Sequence, residues 1–449
     1  MKKLLLLLFV LLGTISNAQQ TFWEEVSTGF LTTSTTEAQI SYADANTVWV
    51  YAAAGDGSGD YYQQWGRSLD GGVTWTIGDI NVGTPDLVIG SIHAVSATKA
   101  YVTAWANGTT TGGVWVTNDA GVSWQKQPSA LYNTVPDSFP NILHFWGTDI
   151  GVTMGDPAGG YFEIYTTTNG GTNWTRVPSS NIPAQLAGEY GYTHNYEVNG
   201  NTIWFGTNKG RIYRSTNQGL NWTVAQTPIA DFGSATISGN YSFKDQNNGL
   251  LIASDFQFFR TTDGASTWVA ETPTGYFRNF DVSFVPGTPN VYVTTGEDPD
   301  GIGRGSSYSV DGGLNWTDIN ETDVLPVDGG GSLAFYDCSH GLASGFTADS
   351  VTGGIWHNIF DYCSLGTSDF ASANTTTASP NPTSGMLEIN GKNINQVVIY
   401  DVLGKVVLTN TYSTLNNVSM NLGSLNNGVY MVKVTNNLGN TSTIKVVKN

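Results

Sequence analysis

The sequence predicts an all-β protein, a seven-bladed β-propeller followed by a small β-sandwich domain, and three observations carry that expectation. An eight-residue pattern, S/T-x-D/N-x-G-x-x-W, recurs as Ser68 to Trp75, Thr117 to Trp124, Thr167 to Trp174, Ser215 to Trp222, Thr261 to Trp268 (with Ala265 for the second glycine) and Ser309 to Trp316. Its closing tryptophans are 46 to 50 residues apart. A period of that length marks a repeat architecture, in which each unit buries its apolar face only against its neighbours. The 54 glycines and 12% aromatic residues are the composition of short strands joined by tight turns. Finally, strand-like pieces precede each motif, as in Ser91 to Val95, Lys99 to Ala104 and Gly113 to Thr117, with a fourth strand starting at Trp124. Four antiparallel strands per unit make a propeller blade.

In chain order, residues 1–18 read as a signal peptide: Lys2 and Lys3, an apolar run from Leu4 to Leu12, and a small-residue cleavage site at Ser16-Asn17-Ala18. No later segment is long and apolar enough to span a bilayer, so no transmembrane segment is expected in the mature chain. Residues 19–364 form the propeller. Its first strands centre on Ile40/Tyr42, Ile92/Ala94, Leu143/Phe145, Tyr196/Val198, Tyr241/Phe243, Val282/Phe284 and Leu333/Phe335, seven units for six motifs. The seventh ends at a third strand, Gly353 to Trp356, and lacks a fourth. Trp23-Glu24-Glu25-Val26 has the form of a fourth strand, so the N-terminus is expected to complete the seventh blade and remove two open edges. Cys338 and Cys363 are a disulfide candidate in that closing blade, with two free thiols as the alternative. Residues 365–379, rich in Ser, Thr and Ala, read as a linker. Residues 380–449 hold six short strand candidates, which suggest a small sandwich.

The repeated octapeptide resembles the Asp-box, or bacterial neuraminidase repeat, and the blades around it resemble the family related to photosystem II assembly factors. That resemblance implies the propeller fold and leaves function open, since enzymes and non-enzymatic propellers both carry such boxes. The C-terminal unit resembles the type A sorting domain of the type IX secretion system of Bacteroidetes. The matching pieces are Ser379-Pro380-Asn381-Pro382 with Gly385, Val398-Ile399-Tyr400-Asp401 with Gly404-Lys405, Gly428-Val429-Tyr430, and Lys445-Val446-Val447-Lys448. The resemblance implies export to the surface or medium and recognition of residues 380–449 by the secretion machinery.

With 36 acidic against 18 basic residues and a net charge of −18, nucleic acid is not an expected partner. A monomer is expected. Within the boxes, Asp70, Asp119, Asp263 and Asp311 alternate with Asn169 and Asn217, which keep the acceptor oxygen but discard the charge. The boxes are therefore read as structural: Asp or Asn ties a turn, and Trp75, Trp124, Trp174, Trp222, Trp268 and Trp316 cover it. The sialidase pattern, three arginines with the first in an Arg-Ile-Pro tripeptide, is not met by the chain's seven arginines.

Candidate ligand-binding residues fall on the loops opposite the boxes: Tyr132, Asp137, Tyr190, Tyr192, Asp231, Tyr276, Arg278 and Arg304, with Glu189 as a candidate catalytic acid. Aromatic rings with interspersed carboxylates suit sugar rings or peptide side chains. A second constellation lies on the inner strands, where His93, His144 and Glu197 share one aligned position on adjacent blades. Such a set either binds metal or does acid–base work, or it satisfies itself beside a wet channel. Gly55 to Asp60 and Glu297 to Gly301 resemble fragments of calcium loops without completing one. The expectation is an exported binding module for a glycan or protein ligand, with a glycan-active hydrolase or lyase as the alternative.

Overall fold

The computed structural model describes residues 21–449 except 56–60, 107–110, 135–137, 302, 320–331, 366–375 and 438–440. The expected signal peptide, Asp137 and most of Gly55 to Asp60 thus lie outside the described residues. Two compact units are present, Met1–Cys363 and Ser364–Asn449.

The first unit contains seven four-stranded antiparallel sheets. Their innermost strands, which define blades 1 to 7, are Thr35–Tyr42, Leu87–Ala94, Pro140–Trp146, Gly191–Asn199, Gly239–Phe243, Asp281–Phe284 and Leu333–Phe335. Apolar side chains alternate into the spaces between blades. Trp49 and Trp65 of blade 1, for example, share one buried cluster with Ile92, Val102 and Trp115 of blade 2. Blade 7 is completed by Trp23–Ser27, paired antiparallel with the third strand from Trp23↔Asn358 to Ser27↔Gly354. Trp23 is buried, and its indole N–H donates to Ser306 Oγ of blade 6 at 3.0 Å. Cys338 and Cys363 form a disulfide in this same blade.

The boxes build six equivalent turns on one face of the ring. In the first, Gly72 N donates to Ser68 Oγ at 2.8 Å, Thr74 N to Asp70 Oδ1 at 2.8 Å, and the Trp75 indole to Gly72 O at 2.8 Å. The Asn copies keep the main-chain bond, with Asn173 N on Asn169 Oδ1 and Asn221 N on Asn217 Oδ1, both at 3.0 Å. An amide oxygen serves as well as a carboxylate there. The arginine that precedes a box reaches the next blade. Arg67 donates to Ala97 O at 2.8 Å while lying over Trp49, and Arg214 donates to Gln246 O at 2.8 Å while lying over Trp204. These cations are inter-blade staples.

In the C-terminal unit the expected six strand pieces become four strands, and a fifth, Thr377–Ser379, joins the same hydrogen-bonded sheet from the end of the expected linker. Met386–Tyr400 and Val406–Asn421 each fuse two expected strands, with register shifts between Asn390 and Gln396 that bend the pair. The bend lets both halves face one core, which includes Leu387, Ile399, Val418 and Val432.

Candidate functional site

The inner strands carry two polar rings around the central channel. At the position shared by Ser41, His93 and Ser242, the side chain accepts a backbone N–H from the next blade's inner strand. The bonds are Ala94 N to Ser41 Oγ at 2.9 Å, Phe145 N to His93 Nε2 at 3.2 Å, and Phe284 N to Ser242 Oγ at 2.9 Å. Two residues earlier the same device recurs, with Ile92 N on Gln39 Oε1 and Leu333 N on Asp281 Oδ2, each at 2.9 Å. Buried acceptors placed this way satisfy strand edges that would otherwise face the channel unpaired.

Four members of the ring depart from the rule: Ser283, whose hydroxyl donates to Phe284 O at 3.3 Å, Ala334, which has no polar group, and His144 and Glu197. His144 makes no hydrogen bond to the described residues, and its ring lies edge-on to His93 with centroids 4.7 Å apart. Burial, aided by the Asp281 charge, pushes the pKa of Glu197 up to about 8 against the pull of Ser242 and the Val198 amide. Burial raises Asp281 to about 7 against the pull of the Leu333 and Val282 amides. His93 is pushed down to about 4 by burial, and His144 well below the usual range by burial and the neighbouring imidazole. The metal alternative for His93, His144 and Glu197 finds no converging ligand set among the described residues. Among the described residues, the atoms close enough to share an ion belong to Cys338, Asp361 and Cys363, and both of those cysteines are spent in the disulfide.

The channel is crossed by a segment that the strand pattern did not reveal. In blade 4, Gly191 pairs with Thr207 but Tyr196 pairs with Phe205, so four residues oppose the single Gly206. This large bulge sends His194, at φ +65°, across the channel to Tyr51 of blade 1, whose hydroxyl lies 2.5 Å from His194 Nε2. Tyr196 takes a hydrogen bond from Gln39 Nε2 at 3.0 Å, a second link between the same blades. Gly206 makes room, because a Cβ there would meet Asn195 and the Phe232 ring. Asp156 anchors the start of the crossing by accepting from Gly191 N and Asn141 Nδ2, and burial raises it to about 6.

His194 is a shared wall between two cavities. One is the central channel, about 450 Å³, with lining residues from every inner strand. The other, about 290 Å³, lies on the loop face and is lined by Tyr51, Tyr62, Val88, Trp105, Phe139 and Thr193 among others. Trp105 and Phe139 stack with centroids 4.4 Å apart. Most of these aromatic residues were not among the sequence candidates, because in the pattern they read as ordinary alternating strand positions.

Several expected loop-face residues prove to be internal. Tyr132 is buried, its hydroxyl 2.9 Å from Thr153 Oγ1, and it packs with Phe145 and Trp174 rather than facing a ligand. Glu189 is buried against Arg211, whose Nε donates to Oε1 at 2.9 Å, and it also accepts from Thr207 and the Leu186 amide. Burial alone would raise its pKa, but these bonds, led by Arg211, hold it below the usual range. Arg278 is also buried, donating to Asp318 Oδ1 at 2.7 Å and Gly303 O at 3.0 Å. Arg304 pairs with Glu297 at 3.2 Å, and Arg278 lies 3.7 Å from Asp298. The two arginines thus neutralise the acidic hairpin that resembled a calcium loop. Tyr190 and Tyr276 remain 43% and 50% exposed, and the Tyr192 hydroxyl donates to Asp231 Oδ1 at 2.6 Å. The Tyr190 and Tyr192 rings meet edge to face with centroids 5.4 Å apart.

Residues 378–449 match the family described as the secretion system C-terminal sorting domain. The chain is an exported protein. Such a tail marks type IX secretion cargo, delivered to the cell surface or the medium, and implies contact with the secretion machinery. No helix among the described residues is long and apolar enough to cross a membrane. No curated protein matches the sequence. Among solved structures, the chain is similar to YCF48 bound to D1 peptide, with 17% identity, a TM-score of 0.53, and coverage of 76% of this chain and 98% of that one. It is also similar to YCF48 from Cyanidioschyzon merolae, with 16% identity, a TM-score of 0.49, and coverage of 76% and 98%. A GH74 xyloglucanase from Xanthomonas campestris gives 14% identity, a TM-score of 0.48, and coverage of 83% and 60%. The first of these likenesses shows the fold.

Proposed function

We propose that the protein is an exported binding module that holds a glycan or protein ligand on the loop face, opposite the boxes. The observation that carries this reading is the aromatic pocket of about 290 Å³ walled by Tyr51, Tyr62, Trp105, Phe139 and His194. Pockets of this size with apolar walls and few polar groups take one ring or one side chain. Its apolar lining favours an aromatic or aliphatic side chain of a protein over a sugar with hydroxyls on every edge. YCF48, with the same propeller fold, is a protein seen with a bound peptide. The candidate acid Glu189 is consumed by Arg211, which supports binding without turnover.

The test incubates the full chain with a panel of peptides and glycans while following both binding and products. Binding without product is expected, and Trp105→Ala should weaken it about ten-fold or more. Release of a defined product would overturn the non-enzymatic reading. The second reading, a glycan-active hydrolase or lyase, draws on Glu197, whose burial keeps it protonated up to about pH 8, as a general acid requires. It predicts product release that Glu197→Gln abolishes.

A further inference from the structure

A cavity of about 450 Å³ lies on the other side of His194 from that pocket, and the binding reading makes no use of it. We propose that the central channel is a separate site for an organic cation, an ammonium or guanidinium group, which enters from the box face and sits between Glu197 and Asp281.

The direction of entry follows from the strands. Each inner strand runs toward the box turns, as the bond from Gly71 N of the first box to Asn46 O, just past the first inner strand, makes plain at 2.9 Å. Tyr42, Val198 and Tyr336, at or just past the ends of their strands, line the cavity at that end. His194 crosses the other end.

The chemistry of the wall selects a cation. The cavity holds about 450 Å³ and receives the carboxyl groups of Glu197 and Asp281, while no lysine or arginine lines it. Each carboxyl oxygen has two lone pairs, so the backbone and Ser242 bonds already described leave acceptor capacity for a ligand. Tyr42 also lines the cavity, its ring centroid 5.9 Å from that of Tyr336. Tyr42, Tyr196 and Tyr336 are among the lining residues, and aromatic faces attract cations. An organic cation fits better than a metal ion, since the channel's His, Asp and Glu atoms do not converge tightly enough to share one.

Cation binding should be linked to protons. Glu197 and Asp281 are raised to about 8 and about 7, so a cation must draw both toward the carboxylate form. The other titratable groups facing them do not interfere. His93 and His194, pushed down to about 4, and His144, pushed well below the usual imidazole range, are neutral, and Tyr42, Tyr196 and Tyr241 are raised above their ordinary range. Affinity therefore rises from pH 6 to pH 8.

The experiment titrates the full chain with butylammonium chloride and with agmatine by calorimetry at pH 6 and pH 8, with n-butanol and calcium chloride as comparators. At least one organic cation should saturate a single site at pH 8 and bind about ten-fold more weakly at pH 6. Glu197→Gln should weaken binding about ten-fold or more, and Trp105→Ala should leave it unchanged. In case the glutamine variant fails to fold, Ala334→Arg, which tethers a guanidinium in the same cavity, should abolish binding. Absence of saturation by both cations at pH 8 would overturn the proposal. So would equal binding of n-butanol, a site filled by calcium but not by amines, or unchanged affinity in a folded variant of either kind.

Discussion

The acidic side chains of the box turns and those of the inner ring are the same chemical groups under opposite regimes. Asp70, Asp263 and Asp311 sit at the surface, where slight burial works against ionisation but hydrogen bonds from the turn outweigh it and hold each below the usual carboxylate range. Glu37, in the seam between blades 1 and 7, and Glu197 in the channel are both raised to about 8, chiefly by burial. A third case separates the causes. Glu189 is as buried as Glu37 by surface exposure, at 4% against 0%, yet its pKa is lowered because Arg211 faces it. Burial sets the cost of a charge, and the partner decides whether the charge survives.

The largest effect should come from moving Glu189 into the raised class. Arg211→Ala leaves a buried carboxylate unpaired, and a loss of about 3–5 kcal/mol at pH 8 is expected in urea melts, shrinking toward pH 4 as Glu189 protonates. An equal loss at both pH values would mean that packing, not charge, is the role of Arg211.

Next in size is the cost of ionising the seam. A carboxyl whose folded pKa is raised stabilises the fold fully below its unfolded value, near 4.5 for Glu, and that contribution is lost as pH rises through about 8. Stability of the native chain should therefore fall between about pH 5 and pH 8. Glu37→Gln should flatten that slope and gain a few kcal/mol at pH 8, with little change at pH 5. A slope unchanged in the variant would show that Glu37 contributes nothing to it.

The smallest effect belongs to the boxes, where the sign reverses: lowered aspartates stabilise above about pH 4 and lose that contribution as pH falls further. Asp311→Ala removes bonds to Leu314 N and Asn315 N at 3.1 and 3.0 Å and should cost about 1–2 kcal/mol. Asp311→Asn should cost less than half as much, since Asn169 and Asn217 serve in the same place. A matching loss in both variants would restore a role for the charge.

The sequence makes much of this ring legible and leaves its interior obscure. A box every 46 to 50 residues, together with first strands that alternate, is enough to count blades, and the orphan strand at Trp23 is enough to close them. The shared position of His93, His144 and Glu197 also follows from alignment, because the blade 4 register recovers at Tyr196. What hid was the bulge before it. Tyr192 to Asn195 hold no glycine or proline to mark a break, and nothing in residue type shows that Gly206 lets four residues face one. Polar loop residues were equally opaque. Arg278, Glu189 and Tyr132 look like rim residues until the loops fold inward and pair them.

The seam sets an order of events. Glu24 meets His357 across 333 residues, so the ring stays an open, incomplete arc until the last blade exists to receive the first strand. Closing so long a loop costs only modestly more than closing a short one, because the entropy grows with the logarithm of length. The disulfide between Cys338 and Cys363 clasps the receiving blade, and it needs an oxidising compartment. An exported chain of this design therefore becomes a finished ring only after it has left the reducing cytosol, with its latch and its clasp in the same blade.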